Sequence, residues 1–161
     1  MTETSNSPMT ARVRAFLDRP HRLLIGGEWV DAASGKTFET RDPATGEVLA
    51  TVAHAEQADI DAAVAAARAA LETGEWGRLS AAERGRLLMR YAAAILADAD
   101  ALAAIETRDN GKPLAQARAD MVLTARYFEY YGGAADKVHG ETIPFQEGYT
   151  VLTMWEPHGV T

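Results

Sequence analysis

The chain contains no cysteine among its 161 residues. A disulfide framework, a thiolate metal site and a thiol nucleophile are therefore excluded from these residues. Acidic side chains outnumber basic ones, 23 to 16, and the net charge of -7 disfavours nucleic acid or an anionic membrane as a partner. Apolar runs are short: residues 91–97, one of the longest, lie between Arg90 and Asp98. A membrane-spanning helix needs ~20 apolar residues, so we expect no membrane partner.

The composition, 47% apolar and 24% charged, is that of a globular protein of about one domain. The first residues carry arginines, but Glu3 and Asp18 interrupt the pattern of a transit peptide, and no secretory apolar segment is present. We expect a flexible, solvated arm over residues 1–22 and a cytoplasmic location.

Two small antiparallel strand pairs are predicted next. Residues 23–25 and 28–30 flank Gly26 and Gly27, which tolerate the positive φ angles of a tight hairpin turn. Residues 37–41 and 47–52 flank a second turn, in which Pro43 presets one dihedral angle and Gly46 accepts an unusual one.

About four amphipathic helices follow. Ile60 and Val64 begin the apolar stripe of the first, and Ser80 with Glu83 has the form of a capping box at the start of another. Residues 110–111 end a third helix, and Pro113 takes the first position of the last. Residues 149–155 then predict a strand that is apolar on both faces and needs cover or a partner strand.

The chain lacks the glycine-rich patterns G-x-G-x-x-G and G-x-x-x-x-G-K-[ST], so no cofactor-binding residue is predicted. Lys112 lies between two helices, where loop chemistry accounts for it without an anion ligand. Asp109 stands near the free carbonyls of a helix end, where a hard monovalent or divalent cation would be stabilised. A solvated or capping role accounts for Asp109 as well, and the residues alone leave both interpretations open.

Seven segments together, in this order and spacing, closely resemble the amino-terminal third of NAD(P)-dependent aldehyde dehydrogenases. They are residues 24–30 (LIGGEWV), 42–48 (DPATGEV), 63–70 (AVAAARAA), 84–88 (RGRLL), 109–113 (DNGKP), 130–140 (YYGGAADKVHG) and 156–160 (EPHGV). The resemblance covers residues 23–161. It implies an α/β fold in which residues 23–147 open an NAD(P)-binding domain and residues 148–161 begin a strand element used for oligomerisation.

The resemblance also implies a reaction: an NAD- or NADP-dependent oxidation of an aldehyde to a carboxylic acid through a cysteine thiohemiacetal and thioester. None of the groups that perform this chemistry lies in the matched segments, so no catalytic residue is predicted here. The implied partners are an aldehyde, the remainder of the enzyme or other subunits, and further copies in a homo-oligomer.

Six site residues follow from the resemblance. Asp109, with the backbone carbonyls of Thr40 and Arg41, corresponds to a monovalent cation site. Leu123 and Tyr127 or Phe128 correspond to the wall of the substrate tunnel. Ala134 replaces a tryptophan that is common in the family, which leaves the substrate class open.

We expect these 161 residues to be catalytically incompetent by themselves, because they contain no thiol. Without a sheet to cover them, the helices would expose apolar stripes and the last strand an unpaired edge, which favours association or aggregation. The expected source is therefore a longer enzyme. The alternative is a non-catalytic, truncated relic or interaction module that docks onto full-length subunits.

Overall fold

A computed structural model describes residues 8–161, which form six helices and three antiparallel strand pairs. The helices are α1 (Pro8–Leu17), α2 (Gln57–Glu72), the single turn α3 (Glu75–Arg78), α4 (Ala81–Ala97), α5 (Ala99–Asn110) and α6 (Leu114–Ala134). The pairs are β1 (Leu23–Ile25) with β2 (Glu28–Val30), β3 (Thr37–Arg41) with β4 (Val48–Ala53), and β5 (Thr142–Ile143) with β6 (Val151–Leu152). The predicted α/β class, with small hairpins before the long helices, is confirmed.

Both predicted hairpins form. Gly26 and Gly27 have φ angles of 62° and 88°, the left-handed region that glycine adopts at little cost. In the second hairpin the backbone N–H of Asp42 donates to the carbonyl of Glu47 at 3.0 Å. Glu47 therefore belongs to the turn, and β4 begins one residue later than the sequence pattern predicted.

Local capping sets the bounds of the long helices. Glu83 Oε2 accepts the backbone N–H of Ser80 at 2.8 Å, and Ser80 Oγ accepts that of Glu83 at 3.3 Å, so the predicted capping box is confirmed. Gly111 ends α5 in the left-handed conformation with φ 79°. Pro113 has an extended ψ of 132° and precedes α6 as its N-cap, so the helix begins at Leu114 instead of at the predicted proline.

The first of two buried clusters corrects the predicted arm. Residues 1–7 of that arm lie outside the described residues, but Val13 and Leu17 on α1 are buried with Ala50, against half-buried side chains of α5. Because these residues share one helical face, α1 packs and is not solvated.

The second cluster joins α4 and α6 through Ala92, Ile95 and Ala125. The two helices approach closely at Gly85 and Gly132, where a Cβ on Gly85 would lie 2.4 Å from the Gly132 carbonyl oxygen. These small residues let the helix backbones come into contact.

Much of the predicted apolar surface remains exposed, as expected. Ile60 on α2 is 50% exposed and Val64 is 39% exposed, whereas Asp59 is the buried residue of that helix. Among residues 8–161 no helix is both long and apolar enough to cross a membrane.

The predicted strand over residues 149–155 is wrong in length, because only Val151–Leu152 pair, and they pair with β5. Pro144 follows β5 and has no backbone N–H to donate, which ends the ladder at Ile143. The strand edge that was expected to be unpaired therefore has a partner over two residues.

Candidate functional site

The carboxyl end of α5 meets the second hairpin, and this contact brings together residues far apart in the sequence. Thr40 Oγ1 donates a hydrogen bond to Asp109 Oδ1 at 3.0 Å, across 69 positions of chain. Gly111, just beyond the helix, approaches the hairpin turn so closely that a Cβ there would lie 3.1 Å from Pro43 Cγ. The structure therefore places Asp109 beside Thr40 and, next to it, Arg41; we call these three residues the α5-end cluster.

The backbone at Thr40 and Arg41 is irregular. The pairing of β3 with β4 shifts register between these two residues, which disrupts the regular ladder where the strand faces Asp109. The Arg41 guanidinium donates to the Gly46 carbonyl oxygen at 3.1 Å and pairs with Glu39, so it is held along its own hairpin. Backbone groups outside a regular ladder need other partners, so the main-chain oxygens at this break are candidate ligands.

Oxygen donors dominate the α5-end cluster. Asp109 adds a negative charge at a helix end that is already negative through its free carbonyls, and a cation there relieves the repulsion. Among residues 8–161 no three His, Cys, Asp or Glu side chains gather closely enough to hold a metal ion. One carboxylate, one hydroxyl and nearby main-chain oxygens form a hard, weakly charged donor set, which suits a monovalent cation better than a transition metal.

Lys112, which the sequence assigned to loop chemistry, makes a specific contact. Its Nζ donates to Asp120 Oδ2 at 2.7 Å and to Glu106 Oε1, and thus joins the end of α5 to the start of α6. The hydrogen bonds to Asp120 and then Glu106 raise the pKa of Lys112 above its ordinary value, so the ammonium stays charged. The sequence does have an acid on each side of the lysine. These acids lie six and eight positions from Lys112, and neither spacing is that of an ion pair on one helix.

The candidate tunnel residues separate into two environments on α6. Leu123 and Tyr127 stand one turn apart and are 50% and 57% exposed. Phe128 packs on the Ala92 cluster and meets the Tyr91 ring edge to face, with centroids 4.7 Å apart. Leu123 and Tyr127 thus present an open apolar face, whereas Phe128 contributes to the α4–α6 contact.

Sequence reasoning missed the role of Asp59. This buried carboxylate accepts the backbone N–H groups of Glu56 and Ala33, each at 2.9 Å, and so fixes the segment after β2 to the start of α2. The hydrogen bonds from Glu56 and Ala33 lower the pKa of Asp59 below its ordinary value. An acid at the third helical position is the sequence signal of a capping box. No neighbouring residue indicates that Asp59 also accepts the backbone N–H of Ala33.

Comparison with known proteins identifies the family. The model of the aldehyde dehydrogenase family matches residues 29–161. The chain belongs to this family. Aldehyde dehydrogenase family 2 member B4, mitochondrial, of Arabidopsis thaliana is 51% identical over 140 residues, which are 86% of this chain and 26% of that protein. Human mitochondrial aldehyde dehydrogenase is 46% identical over 87% of this chain and 28% of its own length.

Solved structures agree with the fold. The NAD+ complex of aldehyde dehydrogenase from Bacillus cereus matches with a TM-score of 0.85 and 43% identity, over 92% of this chain and 30% of that one. The chain therefore has the fold of the amino-terminal part of an aldehyde dehydrogenase, and it spans between a quarter and a third of the length of these relatives.

Proposed function

We propose that this chain is the amino-terminal part of an NAD(P)-dependent aldehyde dehydrogenase that oxidises an aldehyde to a carboxylic acid through a cysteine thiohemiacetal and thioester. The observation that carries the proposal is the family match over residues 29–161, joined to the fold of a relative solved with NAD+. The 161 residues hold no cysteine, so the nucleophile must come from outside them. Alone, the chain is expected to be inactive.

In this proposal residues 23–147 open the NAD(P)-binding domain and residues 148–161 begin the oligomerisation strands of a homo-oligomer. Exposed apolar side chains support contacts with more protein: Tyr130 and Tyr131 are each 61% exposed, and Trp155 is 76% exposed. The proposed location is the cytoplasm, although both relatives named above carry the word mitochondrial in their names. Cell fractionation with an antibody against these residues tests the location.

The α5-end cluster is proposed to hold a monovalent cation. Asp109 supplies the carboxylate, Thr40 and Arg41 supply backbone carbonyls, and the shift of register at these two residues supports their availability. A bound cation would offset the negative charge that Asp109 and the helix end bring together. Its role is structural, because it would fix the second hairpin to α5.

Leu123 and Tyr127 are proposed to line the path of the aldehyde, and Phe128 to support them from the α4–α6 contact. The open apolar face of α6 supports this assignment. Changing Tyr127 to Ala should raise KM for a bulky apolar aldehyde more than for a small one, because the lost ring contacts the tail and not the reacting carbonyl. Equal effects on both aldehydes would contradict the assignment.

Activity tests the main proposal. The native-length gene product and a product limited to residues 1–161 are purified, and reduction of NAD and NADP is followed with an aldehyde. We expect reduction by the native-length protein only, provided its reading frame continues to a cysteine. Reduction by residues 1–161 alone would overturn the proposal. A stop codon after Thr161, with co-purification of full-length subunits, would support the non-catalytic module instead.

A further inference from the structure

Among the residues that the structure describes, Arg118 and Asp100 form an exposed ion pair between α6 and α5, whereas Lys112, in the turn between the two helices, bonds both of them. Within residues 8–161, its Nζ bonds Glu106 on the last turns of α5 and Asp120 on the second turn of α6. All three side chains are half-buried, unlike those of the surface pair of Lys137 with Asp136. Reduced contact with water strengthens such a link relative to a surface ion pair.

The same short segment sets where α5 ends. The backbone N–H of Gly111 donates to the Thr107 carbonyl at 3.0 Å, and that of Lys112 donates to Asn110 Oδ1 at 2.9 Å. The main chain and the side chain of Lys112 are therefore both tied to the last turns of the helix that carries Asp109. A shift of this turn would move the Asp109 carboxylate away from Thr40.

Charge gives the link its importance. One ammonium faces two carboxylates, and the second oxygen of Glu106, Oε2, is buried without a hydrogen-bond partner among the residues that the structure describes. Without Lys112, the half-buried carboxylates of Glu106 and Asp120 would repel each other. Moving the end of α5 away from α6 would reduce that repulsion.

We propose that Lys112 is a positioning residue for the cation site: it holds the last turn of α5 against α6 so that Asp109 faces the break in the β3–β4 ladder. This inference rests on the proposed cation site and extends it, since Lys112 itself would not touch the ion. It predicts that cation affinity depends on a side chain that contributes no ligand.

The test measures cation binding by the purified protein at its native length. Thallium-205 NMR, with Tl+ as the probe and K+ as competitor, gives the dissociation constant at constant ionic strength, at a temperature where every variant is folded. We expect Lys112→Met to weaken binding at least fivefold and Lys112→Arg to restore it to within about twofold of wild type, since Arg can bridge both carboxylates. Lys137→Met, which removes a lysine from an exposed pair, is the matched control and should bind as wild type does.

Hydrogen exchange at Gly111 provides a second measurement. Its amide should exchange faster in Lys112→Met than in wild type, because the turn that it closes is no longer held. Unchanged Tl+ affinity in a folded Lys112→Met variant would overturn the inference while leaving the cation site intact. If wild type binds no Tl+, the cation site itself fails, and the inference with it, whereas the proposed oxidation of aldehydes is decided separately by the activity assay.

Discussion

The α4–α6 crossing should tolerate no side chain at Gly85. A Cβ added there would lie 2.4 Å from the Gly132 carbonyl oxygen, whereas ordinary contacts of a Cβ begin at 3.4 Å. The obstacle is main chain, which cannot rotate away as a flexible side chain can. Gly85→Ala should therefore push the helices apart and loosen the cluster of Ala92, Ile95 and Ala125 beside the crossing.

Two opposing effects set the size of the change. Replacing glycine by alanine inside a helix is favourable by up to about 1 kcal/mol. Overpacking a close contact costs about 1–3 kcal/mol, and a main-chain clash belongs at the upper end. We expect a net loss of about 1–2 kcal/mol in the free energy of unfolding. For a protein of this size the Tm would fall by roughly 2–8 °C.

Thermal unfolding followed by circular dichroism measures the effect, and two neighbouring glycines calibrate it. At Gly132 a Cβ would lie 2.9 Å from the Gly85 carbonyl oxygen, so Gly132→Ala should destabilise less than Gly85→Ala. At Gly133 the nearest atom is Met89 Cε at 3.8 Å, an ordinary contact, so Gly133→Ala should leave the Tm unchanged or raise it. If Gly85→Ala melts at the same temperature as Gly133→Ala, the close approach of the two helices is refuted.

Three further changes probe other parts of the fold. Asp59→Asn should destabilise the protein near neutral pH and make its stability depend less on pH in the acid range. Because folding lowers the pKa of Asp59, the stability that its carboxylate contributes is present above about pH 3.9 and is lost as pH falls through the lower, folded pKa. Urea unfolding of wild type and variant from pH 7 to pH 2.5 should therefore give converging free energies only at the acid end. Gly140→Ala should displace β6, since a Cβ there would lie 1.7 Å from the Thr153 carbonyl oxygen, and unchanged exchange protection of the Thr153 amide would contradict this. Leu17→Ala should cost about 2–3 kcal/mol in urea unfolding by detaching α1 from α5, whereas Arg19→Ala, just beyond the helix, should cost less.

Interactions within a few residues were predictable from the sequence. The turn at Gly26 and Gly27 and the capping box of Ser80 with Glu83 each depend on side chains or dihedral angles inside a single turn. The chemistry of such features is complete in a short window, whatever the rest of the chain does. This is why the first two hairpins and the long helices α2, α4, α5 and α6 agreed with the prediction, with errors of a residue at β4 and α6.

The contact of Thr40 with Asp109 shows what the residues alone could not provide. The two lie 69 positions apart, and only the packing of the second hairpin against the end of α5 brings them together. The resemblance to the family named both residues, but neither periodicity nor capping rules link them. The bond from the Ala33 amide to Asp59 was missed for the same reason, since its partners lie 26 positions apart.

Helix α1 was missed for a different reason. Val13, Phe16 and Leu17 have the i, i+3, i+4 spacing of a helical face, so the signal was present in the sequence. The surrounding arginines made the segment look solvated, although long basic side chains commonly flank a packed stripe with their charges in water. Charged residues near a chain end therefore do not by themselves predict a solvated arm. An arm is predicted only where apolar residues at helical spacing are also absent.

Helix α2 shows that hydrophobic spacing predicts which face needs cover but not what covers it. Ile60 and Val64 lie on the predicted apolar stripe of α2, yet they are half-exposed, while the buried residue of the helix is the carboxylate of Asp59. Asp59 can be buried because two backbone amides satisfy it, whereas an apolar side chain is buried only where another surface meets it. The exposed stripe is therefore open to contact with more protein, and the proposed longer enzyme would supply that cover.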